Sequence, residues 1–254
     1  MLAALATSAC TGEAPSPAPA APSGPPAVQL DAVARHAEQF SELGDRRAGS
    51  QAEQAASVYL LGHLQQAGYA VLLDAVPVGD LVRSTNVVAL PPAGGAPGVV
   101  VVTPYDTGPG HPGDPHVLGL FLELARALRA AVPDHAVEFV ALGADNTEAP
   151  ESHLGSRRLA RTLVEAGDSP FVVVLEDENP CPGPAVSVAG RPPADLRAAL
   201  PNVAADRPDH CGAASSPARA IFTRAGLDAV SLVGEPKPVA RLLLTFLAER
   251  RVEA

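Results

Sequence analysis

Apolar positions set the order of elements along this chain. Residues 27–43, AVQLDAVARHAEQFSEL, carry them at helical spacing, and GSQAEQAASVYLLGHLQQAG (49–68) predicts a second helix. Ser50 is its expected N-cap, with Glu53 three residues on and Gly68 as the stop. YAVLLDAVPV (69–78) and STNVVALPP (84–92) predict strands. GVVVVTPYD (98–106) is continuous and β-branched, the mark of a central strand covered on both faces. An amphipathic helix follows at 116–131, a strand at 135–145, a helix at 155–167 and a buried strand, FVVVLEDE, at 171–178. AGLDAVSLVG (225–234) predicts the last strand and PVARLLLTFLAERR (238–251) a closing helix. Strands alternating with helices imply an α/β fold: a three-layer sandwich with a mostly parallel central sheet and helices on both faces.

The first 27 residues break this pattern. LAALATSACTGEAPSPAPAAPSGPPA is a short apolar stretch, small residues up to Cys10, and then an Ala/Pro/Ser tether that cannot pack a core. It resembles the end of a bacterial lipoprotein signal, with Cys10 lipidated, although Thr7 stands where such signals carry Leu. On that reading, residues 28–254 form one domain, exported to the cell envelope and touching membrane only through a lipid anchor. Cys181 and Cys211 are then either a disulfide pair or two thiols.

A net charge of −10 lacks the basic footprint of a nucleic-acid partner. No Gly-x-Ser-x-Gly elbow or Gly-Lys-Ser/Thr phosphate loop is present, and the three cysteines lack the paired spacing of structural zinc.

Ligands of open α/β sheets sit beyond the carboxyl ends of the strands. Asp106, Asp145, Glu176 and Asp177 each follow an apolar run and fall there. The same loops carry His111, Asp114 and His116, and later Glu148, Glu151 and His153. If acids converge there without a metal, at least one must be hard to ionise.

Over residues 30–250 the order of pieces resembles metallopeptidase family 28, the co-catalytic zinc aminopeptidases, with the glutaminyl cyclases as relatives. The resemblance rests on DRRAGSQAEQAASVYLLGHLQQAGYAV, NVVALPP, VVVVTPYDTG, LGLFLELARAL, VEFVALGADNTEAPESHLGSRRLA, VVVLEDENP and AGLDAVSL. It implies a zinc-exopeptidase fold and a site with two zinc ions, a bridging aspartate, a histidine on each ion and a glutamate base.

Carried over position by position, that site is depleted. The first zinc histidine corresponds to Pro104, and Asp106 takes the position that orients it. Gly113 falls on the bridging aspartate, with Asp114 adjacent and reachable by a one-residue slip. The paired glutamates become Asp145, at the general-base position, and Asn146, while the fourth ligand falls at Glu176. VGEPKP runs straight into the last helix, so the loop bearing the second histidine is missing. The resemblance therefore implies a catalytically degenerate relative with zinc lost or weakly held, binding a peptide or small amine in the old cleft. The alternative is an active metal-dependent aminopeptidase, or a glutaminyl-cyclase-like acyltransferase, with a remodelled site drawing on Asp106, Asp114, His116 and Glu176.

Overall fold

A computed structural model describes residues 27–109, 113–147, 152–176, 186–198 and 216–248. The elements run α1 (Leu30–Glu42), α2 (Gln51–Gln66), β1 (Val71–Val78), β2 (Val82–Ala89), β3 (Val99–Pro104), α3 (Pro115–Ala131) and β4 (Val137–Leu142). After these come α4 (Leu154–Ala166), β5 (Phe171–Leu175), β6 (Val186–Gly190), α5 (Ala194–Ala198), α6 (Pro217–Arg224), β7 (Ala229–Gly234) and α7 (Pro236–Ala248). The strands form one sheet in the order β1-β2-β4-β3-β5-β7-β6.

The four central strands, β4, β3, β5 and β7, are parallel. Antiparallel pairs close both sides: β1 with β2 and β2 with β4 at one edge, β6 with β7 at the other. The sheet is therefore mixed, with its parallel part in the middle, where covering helices bury both faces.

Strand β3 shows how its composition works. Val99 and Val101 enter one apolar cluster with α1, α2, α3 and α7, while Val100 and Val102 enter a second beneath α4 and α6. Alternate residues point to opposite faces, so a run of four valines feeds both cores at once. Helix α3 is buried continuously from Val117 to Ala125 because it is enclosed between the sheet and other helices. Its backbone also meets that of α1 closely: a Cβ on Gly119 would lie 2.4 Å from the Val33 carbonyl oxygen.

Side-chain caps begin three of the helices, the one at Ser50 as the sequence predicts. Ser50 accepts the Glu53 N–H, Asp114 accepts the His116 N–H ahead of Pro115, and Ser216 accepts the Arg219 N–H ahead of Pro217. Among the described residues, no helix is long and apolar enough to cross a membrane. Residues 1–26, with Cys10, lie outside the described residues, as do Cys181 and Cys211.

Candidate functional site

The loops after β3 and β4 leave the carboxyl end of the sheet side by side, because the strands pair in register with Pro104 opposite Leu142. The Tyr105 N–H continues the ladder onto the Leu142 carbonyl at 3.0 Å. Asp106 follows, fully buried. Its Oδ1 accepts the N–H groups of Asp145 (3.0 Å) and Asn146 (3.2 Å), and its Oδ2 accepts the Asn146 N–H at 2.9 Å. Asn146 Nδ2 donates back to the Asp106 carbonyl at 2.8 Å. The approach is so close that a Cβ on Gly108 would sit 1.6 Å from the Asn146 carbonyl oxygen, so only glycine fits.

Asp145 is likewise buried, with 1% of its surface exposed. Its Oδ1 accepts the Ser156 N–H at 2.7 Å and its Oδ2 accepts the Ser156 hydroxyl at 3.0 Å. Ser156 lies in the first turn of α4, whose N-cap residue His153 supplies no side-chain cap. Asp145 supplies that function from outside the helix, where a carboxylate also meets the positive end of the helix dipole. His153 Nδ1 stands 3.6 Å from Asp145 Oδ2.

Among the described residues, the only non-glycine residues with positive φ are Ala144 (53°) and His153 (59°), and they flank this corner. The left-handed conformation disfavours residues with a Cβ and persists where neighbours enforce it. Here the Leu154 N–H bonds the Ala144 carbonyl and the His153 N–H bonds the Asp145 carbonyl.

Beneath the loops lies a layer of buried polar groups. Arg46 Nε donates to the Tyr105 carbonyl at 2.8 Å and its Nη1 to the Phe40 carbonyl at 3.0 Å. Glu53 accepts the Gly49 N–H and the Ser84 hydroxyl. Asn86 accepts the Gly143 N–H and donates to the Gly155 carbonyl, each at 3.1 Å. Burial, reinforced by Asp145, raises the Asp106 carboxyl well above the usual carboxylate range against the pull of its N–H donors. Burial raises the Glu53 carboxyl too.

The remaining sequence-derived candidates are held separately. Asp114 is half-buried as the cap of α3, accepting the His116 N–H at 2.8 Å, and His116 is exposed. Glu176 follows β5 and accepts the Ser216 hydroxyl. Only Glu235 separates the end of β7 from the start of α7. His111, Glu148, Glu151 and Asp177 lie outside the described residues.

This donor set does not fit a pair of zinc ions. Pro104 and Gly113 have no ligating side-chain atom, Asn146 offers only a neutral amide oxygen, and the buried carboxylates face protein donors. Among the described residues, no three His, Cys, Asp or Glu side chains are grouped so as to hold a metal ion.

Sequence reasoning singled out Asp106 and Asp145. It did not assign a role to Arg46, Ser84, Asn86 or Ser156, although DRRAGS, STNVVAL and GSRRLA all stood out as motifs.

The fold is shared with known structures. A leucine aminopeptidase precursor from Bacteroides thetaiotaomicron superposes with a TM-score of 0.71 at 15% identity, over 90% of this chain and 99% of that one. A glutaminyl cyclase from Fimbriiglobus ruber gives 0.64 at 16%, over 87% and 95%. A Zn-dependent exopeptidase from Parabacteroides distasonis gives 0.66 at 13%, over 89% and 100%. No protein-family model matches the sequence, and no curated protein matches it either. The chain has the zinc-exopeptidase-like α/β fold, and at these identities the likeness shows the fold alone.

Proposed function

We propose that this chain is a degenerate relative of metallopeptidase family 28, an exported, lipid-anchored envelope protein that binds without hydrolysing. Its ligand is a peptide's amino terminus or a small amine, held at the mouth of the old cleft. One observation carries the loss of hydrolysis: the two buried carboxylates are already satisfied by protein donors, Asp106 by backbone N–H groups and Asp145 by Ser156. A metal ion entering there would have to displace those bonds, and each displaced buried N–H would lose its partner. The acids still partly open to solvent are Asp114 and Glu176, which favour a cationic group. The neighbours named as aminopeptidases and glutaminyl cyclases support a peptide-like ligand.

Metal content tests this reading. The purified full chain is dialysed against zinc, its metal counted by plasma mass spectrometry, and its turnover of an aminoacyl anilide and a glutaminyl peptide measured. Substoichiometric zinc and no turnover are expected. Stoichiometric zinc with turnover, both lost in Glu176→Ala or Asp114→Ala, would overturn the proposal in favour of an active aminopeptidase or glutaminyl-cyclase-like acyltransferase.

A further inference from the structure

A second acidic feature lies at the other end of the sheet, where the central strands begin. Glu138 is the second residue of β4, four residues before Leu142 and so about 13 Å from that strand's carboxyl end. Its neighbours Val137 and Phe139 point into the cluster with α1 and α3, whereas Glu138 shares the face of Val140 and Leu142. That face is otherwise apolar, and Glu138 opens from it into a groove of about 700 Å³ between β1, β2 and α4. Leu72, Val88, Leu90, Leu159 and Leu163 make its apolar walls, and Asp168, just past α4, adds a second carboxylate.

Glu138 is 7% exposed, yet among the described residues no donor or cation is paired with it. Asp74, the third carboxylate lining the groove, is taken up by an arginine. Arg158 grips Asp74 through Nε at 3.0 and 3.1 Å and through Nη2 at 2.9 Å. Burial, then the charge of Asp168, raises the Glu138 carboxyl to about 7. Its oxygens are not sealed in the core but open into the groove, so this carboxylate, set among apolar walls, meets solvent or a ligand there.

We propose that this groove is a binding site for an organic ammonium ion with an apolar body, its charged head on Glu138 and Asp168 and its hydrocarbon against the leucines. The groove falls within the size range of small-molecule sites and shows their usual make-up, apolar walls with a few convergent polar groups. Its chemistry excludes anions. With Asp74 held by Arg158, the rest of the lining is mostly apolar, which suits the hydrocarbon of an organic cation. The site is separate from the carboxyl-end loops and holds whether or not zinc binds there.

The test titrates 2-phenylethylammonium chloride, and in parallel the neutral 2-phenylethanol, into the full chain carrying labelled leucine and valine methyls, at a pH of about 8. The ammonium ion is expected to shift the methyls of Leu72, Val88, Leu90, Leu159 and Leu163. It should bind more tightly than the alcohol by about tenfold or more, the share of one charge-assisted hydrogen bond. Glu138→Gln should abolish that preference while keeping the fold, because it removes a buried charge, and Asp168→Asn should weaken it. Equal binding of alcohol and ammonium would overturn the proposal, as would shifts confined to other methyls, an unchanged preference in Glu138→Gln, or no binding at millimolar probe.

Discussion

His135 lets the ionisation of one buried group be followed from its hydrogen bonds to a measurable stability. The residue is fully buried in the turn between α3 and β4. Its Nδ1 lies 3.2 Å from the Val137 backbone nitrogen, which can only donate, so Nδ1 accepts and the ring proton is on Nε2. Nε2 then donates to the Tyr69 hydroxyl at 3.0 Å, and that hydroxyl donates to the Ala125 carbonyl at 2.9 Å. Each polar atom is used once, and only the neutral ring can do it. A proton on Nδ1 would have to break the Val137 bond inside the core. Burial, with the Arg129 charge behind it, accordingly lowers the pKa from 6.5 to about 4.

The sign follows from proton counting. The unfolded chain takes up the proton near pH 6.5 and the folded chain only near 4, so stability from this group is complete above 6.5 and falls as pH drops through that window. At 1.36 kcal/mol per pH unit the gap corresponds to about 3 kcal/mol. His36, also pushed to about 4 by burial and then by His63, acts in the same direction. Glu138 opposes both: its raised carboxyl makes stability fall as pH rises from 4.5 to about 7. The wild-type curve alone is therefore uninformative, and a difference between variants is needed.

His135→Asn keeps an acceptor for Val137 and removes the titrating ring. At a pH of about 7.5 it should cost about 1–3 kcal/mol through lost packing against Tyr69 and Phe139. In urea unfolding at a series of pH values, that deficit should shrink and then reverse as pH falls toward 4, by about 3 kcal/mol in total. Two curves running parallel from pH 7.5 to 4 would refute the assigned tautomer and the linkage built on it.

Two further substitutions probe packing and the carboxyl-end corner. Gly119→Ala brings a Cβ to 2.4 Å from the Val33 carbonyl oxygen, so α1 and α3 must separate; thermal unfolding should show about 1–3 kcal/mol lost, and an unchanged Tm would mean the helices are not in that contact. Ser156→Ala removes one of two donors from buried Asp145 and should cost about 1–3 kcal/mol, whereas no change in the urea midpoint would show that the hydroxyl bond at 3.0 Å is not formed.

Apolar runs made the centre of the fold legible. β3, β4 and β5 are each buried on both faces, so their valines, leucines and phenylalanines announce them without any knowledge of partners. The antiparallel edges were not legible, because pairing direction depends on where the chain returns from, and the strand residues themselves do not encode it. β6 and α6 were also missed: VSVAG and PARAIFTR are too short for periodicity, and only Ser216 before Pro217 marks the helix start. At the site, position beyond a strand was enough to single out Asp106 and Asp145. What their oxygens face was hidden, since it depends on the left-handed turns at Ala144 and His153, where the residue types give no warning. Glu53 was read as a capping partner within α2, but its carboxylate bonds Gly49 and reaches across to Ser84 on β2.

Two buried carboxylates beside each other need an account of how the chain tolerates them without a dication. Asp145 is matched by the first turn of α4, where the Ser156 N–H, its hydroxyl and the helix dipole all favour negative charge. Asp106 has backbone N–H donors too, but burial and the neighbouring charge outweigh them and raise its carboxyl well above the usual carboxylate range. The two aspartates thus serve different ends: Asp145 caps a helix, and Asp106 clasps two loops together. On the proposed reading this is how a site once suited to metal becomes structure. Each aspartate still stands where the sheet placed it, but it now fixes a backbone. A histidine placed at position 104 alone would add one ligand beside carboxylates already bound elsewhere, and metal affinity would require freeing Asp106 and Asp145 as well.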